Sequence, residues 1–472
     1  MQPSLSPRNI TLAGLLLLAT LATLLVRHHA FFWDTIQLGS RHAHWYYENN
    51  FRYLLLPDEI DSGHPPAFGL YLAATWKLFG RSLAVSHLAM LPFLLGIVYL
   101  LVRLGDYFGG KGNSWMLALL AAADPVLAGQ AVLASPDIAL CCFFLLALYG
   151  ILYRRKGAQI IGAIGLALIS TRGMMTVVAL YCFSLLANWE KSWLAPARTA
   201  LPFVPSGLLA LAFLAYHYQQ KGWVGYHDAM PWAPGFEQVG IPGLIKNTAI
   251  LGWRLLDFGR LFVWLLLGGL WYRHWKGGAL RKNVPVKQAF WLAAISLTLL
   301  SITFLAYRGL HGHRYLLPAF LSISILFYAV LANAPLASRL RHLLFAAAFA
   351  GLLTGNLWIY PDTISQGWDS TLAHLPYYSL RKQMLGYLDG QNIPLESVGT
   401  AFPEIGPLKF KELSEDNRGM KEKDLARDSH IFYSNVMNDF TDGEIRRLQE
   451  EWRVEKSWEK RGVRVVLYVR AE

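Results

Sequence analysis

Ile10 to Val26 is a run of 17 residues without a charge. Wound as an α-helix at ~1.5 Å per residue, it nearly crosses a ~30 Å hydrocarbon core. Similar apolar blocks recur near 83–102, 114–132, 137–153, 157–171, 173–188, 199–217, 256–272, 288–306, 315–332 and 342–360. Only 16% of the 472 residues are charged, against about a quarter in soluble domains. The pattern predicts an all-α polytopic membrane protein. The first block reads as a retained anchor: its leading segment carries only Arg8, and "RHHAFFWD" after it lacks a small-x-small cleavage site. Cys141, Cys142 and Cys182 all lie inside apolar blocks, which suits core packing and builds no disulfide framework or zinc spacing.

Charge placement orients the helices. Of the formal +12, residues 361–472 contribute 16 Lys/Arg against 19 Asp/Glu, so the basic excess belongs to the apolar part. Loop charges therefore explain it, and no nucleic-acid partner is implied. The segment "HPPAFGLYLAATWKLFG" is short and carries Lys77 in its apolar face. It is expected to lie along the membrane surface over 65–80, entered through Pro65 and Pro66. Eleven crossings then remain. With the N-terminus inside, Arg154-Arg155-Lys156, Arg339 and Arg341 fall on the cytoplasmic side, as the positive-inside rule expects.

That topology leaves a membrane part, 1–360, and an extracytoplasmic tail, 361–472. In the tail "HIFYSN" and "VRVVLYVR" read as strands, and "TDGEIRRLQEEW" opens on a Thr441-x-x-Glu444 capping box. A small C-terminal α/β domain from about 375 is predicted. The chain is expected in the plasma (inner) membrane. Ten of its 14 histidines fall in outer loops or at outer helix ends. Chemistry, if present, belongs to the outer face.

Five places on that face concentrate polar residues. Asp34 follows Phe31-Phe32-Trp33 at the end of the first helix, where partial desolvation suits a general base; it could equally mark the water boundary. In "DSGHPP", His64 precedes a helix start that favours an anion, and a protonated His64 would add charge there. Asp61 could orient His64 or serve an ordinary turn. Asp137 is a second catalytic candidate or the cap of the helix that follows. Arg172, between apolar blocks, is a phosphate-ligand candidate or a snorkelling side chain. "YRGLHGHRYLLP" gathers Arg308, His311, His313 and Arg314, the strongest cationic cluster outside. There is no P-loop, no GxGxxG after a strand and no H-E-x-x-H.

The ordered set "FFWDT", "HPPAFGLYLAATWKLFG", "SPDIALCCFFLLALY", "STRGMM" and "HRYLLPAF" resembles the GT-C membrane glycosyltransferases over about residues 10–360. The likeness is to their polyprenyl-phosphate-sugar-dependent branch, which includes protein O-mannosyltransferases and lipid A aminoarabinose transferases. It implies an inverting transfer of sugar from a polyprenyl-phosphate donor to an acceptor glycan, lipid or protein. Asp34 or Asp137 would be catalytic, and Asp61, His64, Arg172, His311, His313 and Arg314 would bind substrate. It fixes no cofactor, and a divalent metal ion is left open. The chain departs from the family where Thr35 follows Asp34, where His64 stands in place of Lys, and where "SHLAMLPF", with His87 nearby, lacks the Arg common at the outer start of the second helix. A transporter or lipid flippase is the alternative class, which usually places polar sites at the midplane within inverted repeats.

Overall fold

The computed structural model describes residues 7–187, 195–228, 230, 232–275, 278, 280 and 282–470. Among them, five helices are long and apolar enough to cross a membrane: Asn9–Val26, Leu83–Gly109, Ala195–Lys221, Val284–Ala306 and His313–Asn333. This is fewer than the eleven apolar blocks because several blocks fold as shorter helices, such as Lys156–Ile169 and Thr171–Ala187. The 114–132 block is not one helix. Trp115–Ala123 stops at Asp124, whose carboxylate caps Pro125–Ala131 by accepting from Val126 N–H at 2.9 Å. Pro125 has no N–H to continue the first helix. The Pro125–Ala131 piece then meets Pro136–Leu152 at 119°. A further helix, Ile241–Leu256, lies where no apolar block was expected.

Leu317–Asn333 is buried from Leu317 to Leu331, so it runs through the centre of the bundle. The bent piece is tied to it by Arg260, which bonds Asp124 at 2.7 and 3.1 Å and lies 3.8 Å over the Phe320 ring. The residues just before this central helix therefore hold a fixed position.

Ala67–Phe79 begins directly after Pro66 and ends at Gly80, whose φ of +91° favours glycine. Its 13 residues reach only about 20 Å, too short to cross a bilayer. It packs on His42–Glu48 so closely that a Cβ on Gly69 would lie 2.8 Å from the Cβ of His42.

The tail carries the expected strands and capped helix. Six strands, β1 (Val398–Thr400), β2 (Gly406–Pro407), β3 (Gly419–Glu422), β4 (His430–Ser434), β5 (Trp452–Lys460) and β6 (Val463–Arg470), form a sheet in the order β2-β3-β1-β4-β6-β5. β4 and β6 pair antiparallel with Phe432 opposite Leu467. Asp442–Glu451 begins with both bonds of the Thr441–Glu444 capping box. Val26, Phe32, Val132 and Leu133 from the membrane part join the core of this sheet. Phe31 N–H donates to the Lys411 carbonyl at 2.8 Å, and the Phe32 ring stacks on His374 at 4.9 Å. The tail thus grips the loop that carries Asp34.

A buried ionic cluster braces that grip. Glu404 accepts from Arg381 Nε at 2.6 Å and Tyr377 O–H at 2.9 Å, and Lys411 Nζ donates to the Glu404 carbonyl at 2.6 Å. Burial alone would raise the Glu404 pKa, but the charges of Arg381 and Lys411 overcome it and hold the carboxyl at about 2, against 4.5 ordinarily. The unfolded chain therefore takes the proton first as pH falls. The stabilisation is complete above about pH 5 and is lost between roughly 4.5 and 2, an effect on the order of 3 kcal/mol. Hydrogen exchange of the intact protein should show protection in the sheet weakening from pH 6 to 3.5. In Glu404→Gln this pH dependence should be much smaller; an equal dependence would remove Glu404 as its source.

Candidate active site

Asp34 projects from a tight turn. Trp33 has a φ of +51°, a conformation L side chains rarely adopt, and the Thr35 hydroxyl bonds both the N–H and the carbonyl of Phe32, at 3.0 and 2.7 Å. Such strain costs ~1–3 kcal/mol and persists where surrounding contacts enforce it. Asp137 lies in the first turn of Pro136–Leu152, but Ser135 is the cap, accepting from Asp137 N–H at 3.1 Å. The Asp137 carboxylate is free to work elsewhere. Arg172 sits in the first turn of Thr171–Ala187, after the break at Ser170. Arg314 belongs to the His313–Leu316 turn that enters the central helix.

These residues meet. The Arg314 guanidinium pairs with Asp34, with Asp137 at 3.1 Å and with Asp369 at 3.1 Å. Arg172 pairs with the other oxygen of Asp137 at 2.8 Å and donates to the Arg314 carbonyl at 3.3 Å. Both guanidiniums lie 4.7 Å from the centre of the Tyr315 ring. The side chains of Arg314, Asp137 and Asp369 are at most 6% exposed, whereas Asp34 is 34% exposed. Asp34 is the carboxylate open to an incoming group.

Beside the cluster is a narrow cleft, with room for about one water, lined by Leu38, His42, His64, Phe68, Asp137 and Arg172. His64 Nδ1 lies 3.1 Å from the Thr171 hydroxyl. Burial, with the charge of Arg172, pulls the His64 pKa down to about 3. The imidazole is therefore neutral at physiological pH, which corrects the expectation of a protonated His64. A neutral ring can still donate one hydrogen bond into the cleft.

Three other candidates stand apart. Asp61 does not touch His64: its carboxylate accepts from Gly63 N–H at 2.9 Å and pairs with His217 at 3.2 Å. The D-S-G turn uses that acid for itself. His313 points away from Arg314 and bonds Asp257 at 2.8 Å, with the Tyr360 hydroxyl on the other oxygen of that carboxylate. A tight helical turn of about three residues sends adjacent side chains in different directions. His311 packs its ring against Phe304 at 4.9 Å. His87 Nε2 bonds the His29 carbonyl at 3.1 Å, latching the Leu83–Leu88 helix to the first loop. Among the described residues, no group of three or more His, Cys, Asp or Glu is placed to hold a metal ion. The three carboxylates converge on a guanidinium.

Asp369 was not among the sequence candidates. It lies in the tail, and a local signal for it exists: "GWDST" repeats the Trp-Asp-hydroxyl order of "FFWDT". Asp369 and Asp34 end as neighbours on one guanidinium.

No protein-family model matches the chain. No curated protein matches it either. Among solved structures, ArnT from Cupriavidus metallidurans bound to undecaprenyl phosphate aligns over 96% of this chain and 97% of its own, at 13% identity and a TM-score of 0.53. The apo form of that protein aligns over 96% and 98%, at 14% identity and a TM-score of 0.52. The fold is the GT-C fold. Near-complete coverage of both chains means that the GT-C likeness takes in the tail as well as the bundle. Within this GT-C fold, the acid–arginine cluster draws on the first loop, three helix starts and the tail.

Proposed function

We propose that the chain is an integral-membrane glycosyltransferase that moves a sugar from a polyprenyl-phosphate-sugar donor to an acceptor hydroxyl on the extracytoplasmic side, inverting the anomeric centre. The observation that carries this reading is the convergence of one half-open and two buried carboxylates on Arg314, with Arg172 at the edge of the adjoining cleft. The likeness to an ArnT structure bound to undecaprenyl phosphate supports a lipid-linked donor.

In the resting arrangement Arg314 occupies an Asp34 oxygen. A donor phosphate seated at Arg172 and Arg314 competes for that guanidinium and frees Asp34. Asp34 then accepts the proton of the acceptor hydroxyl while the acceptor oxygen attacks the anomeric carbon. The bond from that carbon to the phosphate oxygen breaks, and the polyprenyl phosphate leaves without needing a proton. Asp137 and Asp369 act as positioning residues that hold both arginines. A base that is released only when the donor arrives also limits idle hydrolysis.

Lipid mass spectrometry of cells with and without the active chain tests the reading. Loss of activity should leave a polyprenyl-phosphate sugar accumulated; unchanged lipid profiles would count against it. Sidedness has its own check. A reporter fused after residue 400 should behave as extracytoplasmic, because the basic loops fall on the opposite side. Cytoplasmic reporter activity would reverse the topology.

A further inference from the structure

The short helix Pro125–Ala131 meets the turn that carries Asp369, backbone against backbone. A Cβ on Gly129 would lie 2.6 Å from the Thr371 nitrogen and 2.8 Å from the Asp369 carbonyl oxygen, so a side chain there would push the turn away. The next residue, Gln130, is 1% exposed. Its side-chain amide donates to the Asp369 carbonyl at 2.9 Å, and its oxygen accepts from the Ser135 hydroxyl. A carbonyl only accepts, which fixes the amide nitrogen toward Asp369 and the oxygen toward Ser135. Ser135 in turn accepts from Asp137 N–H at 3.1 Å. Gln130 therefore closes the 119° bend between its own helix and Pro136–Leu152, and ties that bend to the tail.

The result is one buried path from Asp137 N–H through Ser135 and Gln130 to the Asp369 carbonyl. It closes into a ring through Arg314, since Asp137 and Asp369 both pair with that guanidinium at 3.1 Å. The Ser370 hydroxyl holds the other oxygen of Asp369 at 3.1 Å, so the carboxylate follows its own turn. The spacing of two fixed carboxylates decides where a planar fork between them can lie. We infer that Gln130, with the close approach at Gly129, is a positioning residue that sets the Asp137–Asp369 spacing and so aims Arg314 at the donor phosphate. The spacing stands on the contacts alone; the phosphate rests on the function proposed above.

The test uses the intact protein in lipid nanodiscs, with isotope-labelled arginine. Magic-angle-spinning NMR follows the Arg314 Nε signal, recognised by its absence in Arg314→Lys. Gln130→Met keeps the volume but removes both bonds, and it should move that signal. Gly129→Ala displaces the same turn through a different contact and should move it too. Tyr328→Phe, which deletes a buried bond to the Gly105 carbonyl about three turns along the central helix, should leave it in place. Titration with polyprenyl phosphate adds a second readout. Gln130→Met should weaken binding roughly tenfold, because a misaimed fork forfeits part of a charge-assisted contact. In an Arg314→Lys background the same change should cost at most about twofold, since a point charge has no fork to aim. An Arg314 signal that stays in place in either folded variant overturns the inference. Equal weakening in both backgrounds also overturns it, as the mark of a general packing loss. If the unaltered protein binds no polyprenyl phosphate, the proposed function fails and the Arg314 signal alone decides the spacing.

Discussion

Asp34→Asn, purified in lipid nanodiscs, is expected to lose kcat by roughly a hundred- to ten-thousandfold, the range for removing a general base. The change is nearly isosteric, and an Asn oxygen can still accept from Arg314. Donor affinity and thermal stability should therefore hold, and the loss should appear in turnover. Near-normal turnover would remove Asp34 from the mechanism and make Asp137 the next carboxylate to test. Asp369→Asn gives a contrasting expectation. It should raise the KM for donor and lower kcat together, because it loosens Arg314 without removing a proton acceptor.

Arg314 should be the most sensitive position for both binding and stability. Replacing it with Ala leaves Asp137 and Asp369 buried without one of their cations, a change that typically costs about 3–5 kcal/mol. Arg314→Lys is the more informative variant, since the cluster keeps a positive charge. A point charge cannot reach three carboxylates and a phosphate as a planar fork does. Donor affinity should fall roughly ten- to hundredfold, the worth of one charge-assisted phosphate contact. Isothermal titration with a polyprenyl phosphate measures this directly. Unchanged affinity in a folded Arg314→Lys protein would move the phosphate away from this residue.

How much of this was legible beforehand differs from element to element. The apolar blocks and the capping box carried their own periodicity and spacing, so the membrane bundle, β4, β6 and the Asp442–Glu451 helix could be read directly. The break at Asp124-Pro125 also had a visible signal, a cap residue before proline, which the continuous apolarity of 114–132 masked. The site was harder. Asp34, Asp137, Arg172 and Arg314 were singled out because each is a charge beside an apolar helix end, and the structure brings them together. Asp369 lies in a polar tail where one more acid carries no contrast, and only the fold brings it to Arg314. His313 and Asp61 were misplaced for a related reason. A sequence shows which residues share a turn but not which way each side chain leaves it, and both found private partners in Asp257 and His217.

The most direct test of the central claim is a reconstituted reaction. The purified chain in nanodiscs is supplied with a polyprenyl-phosphate sugar of known anomeric configuration and an extract of envelope acceptors. The account predicts release of free polyprenyl phosphate, appearance of the sugar on the acceptor with the opposite configuration, and loss of both in Asp34→Asn. Release that continues undiminished in Asp34→Asn, or a product that retains the donor's configuration, would contradict it.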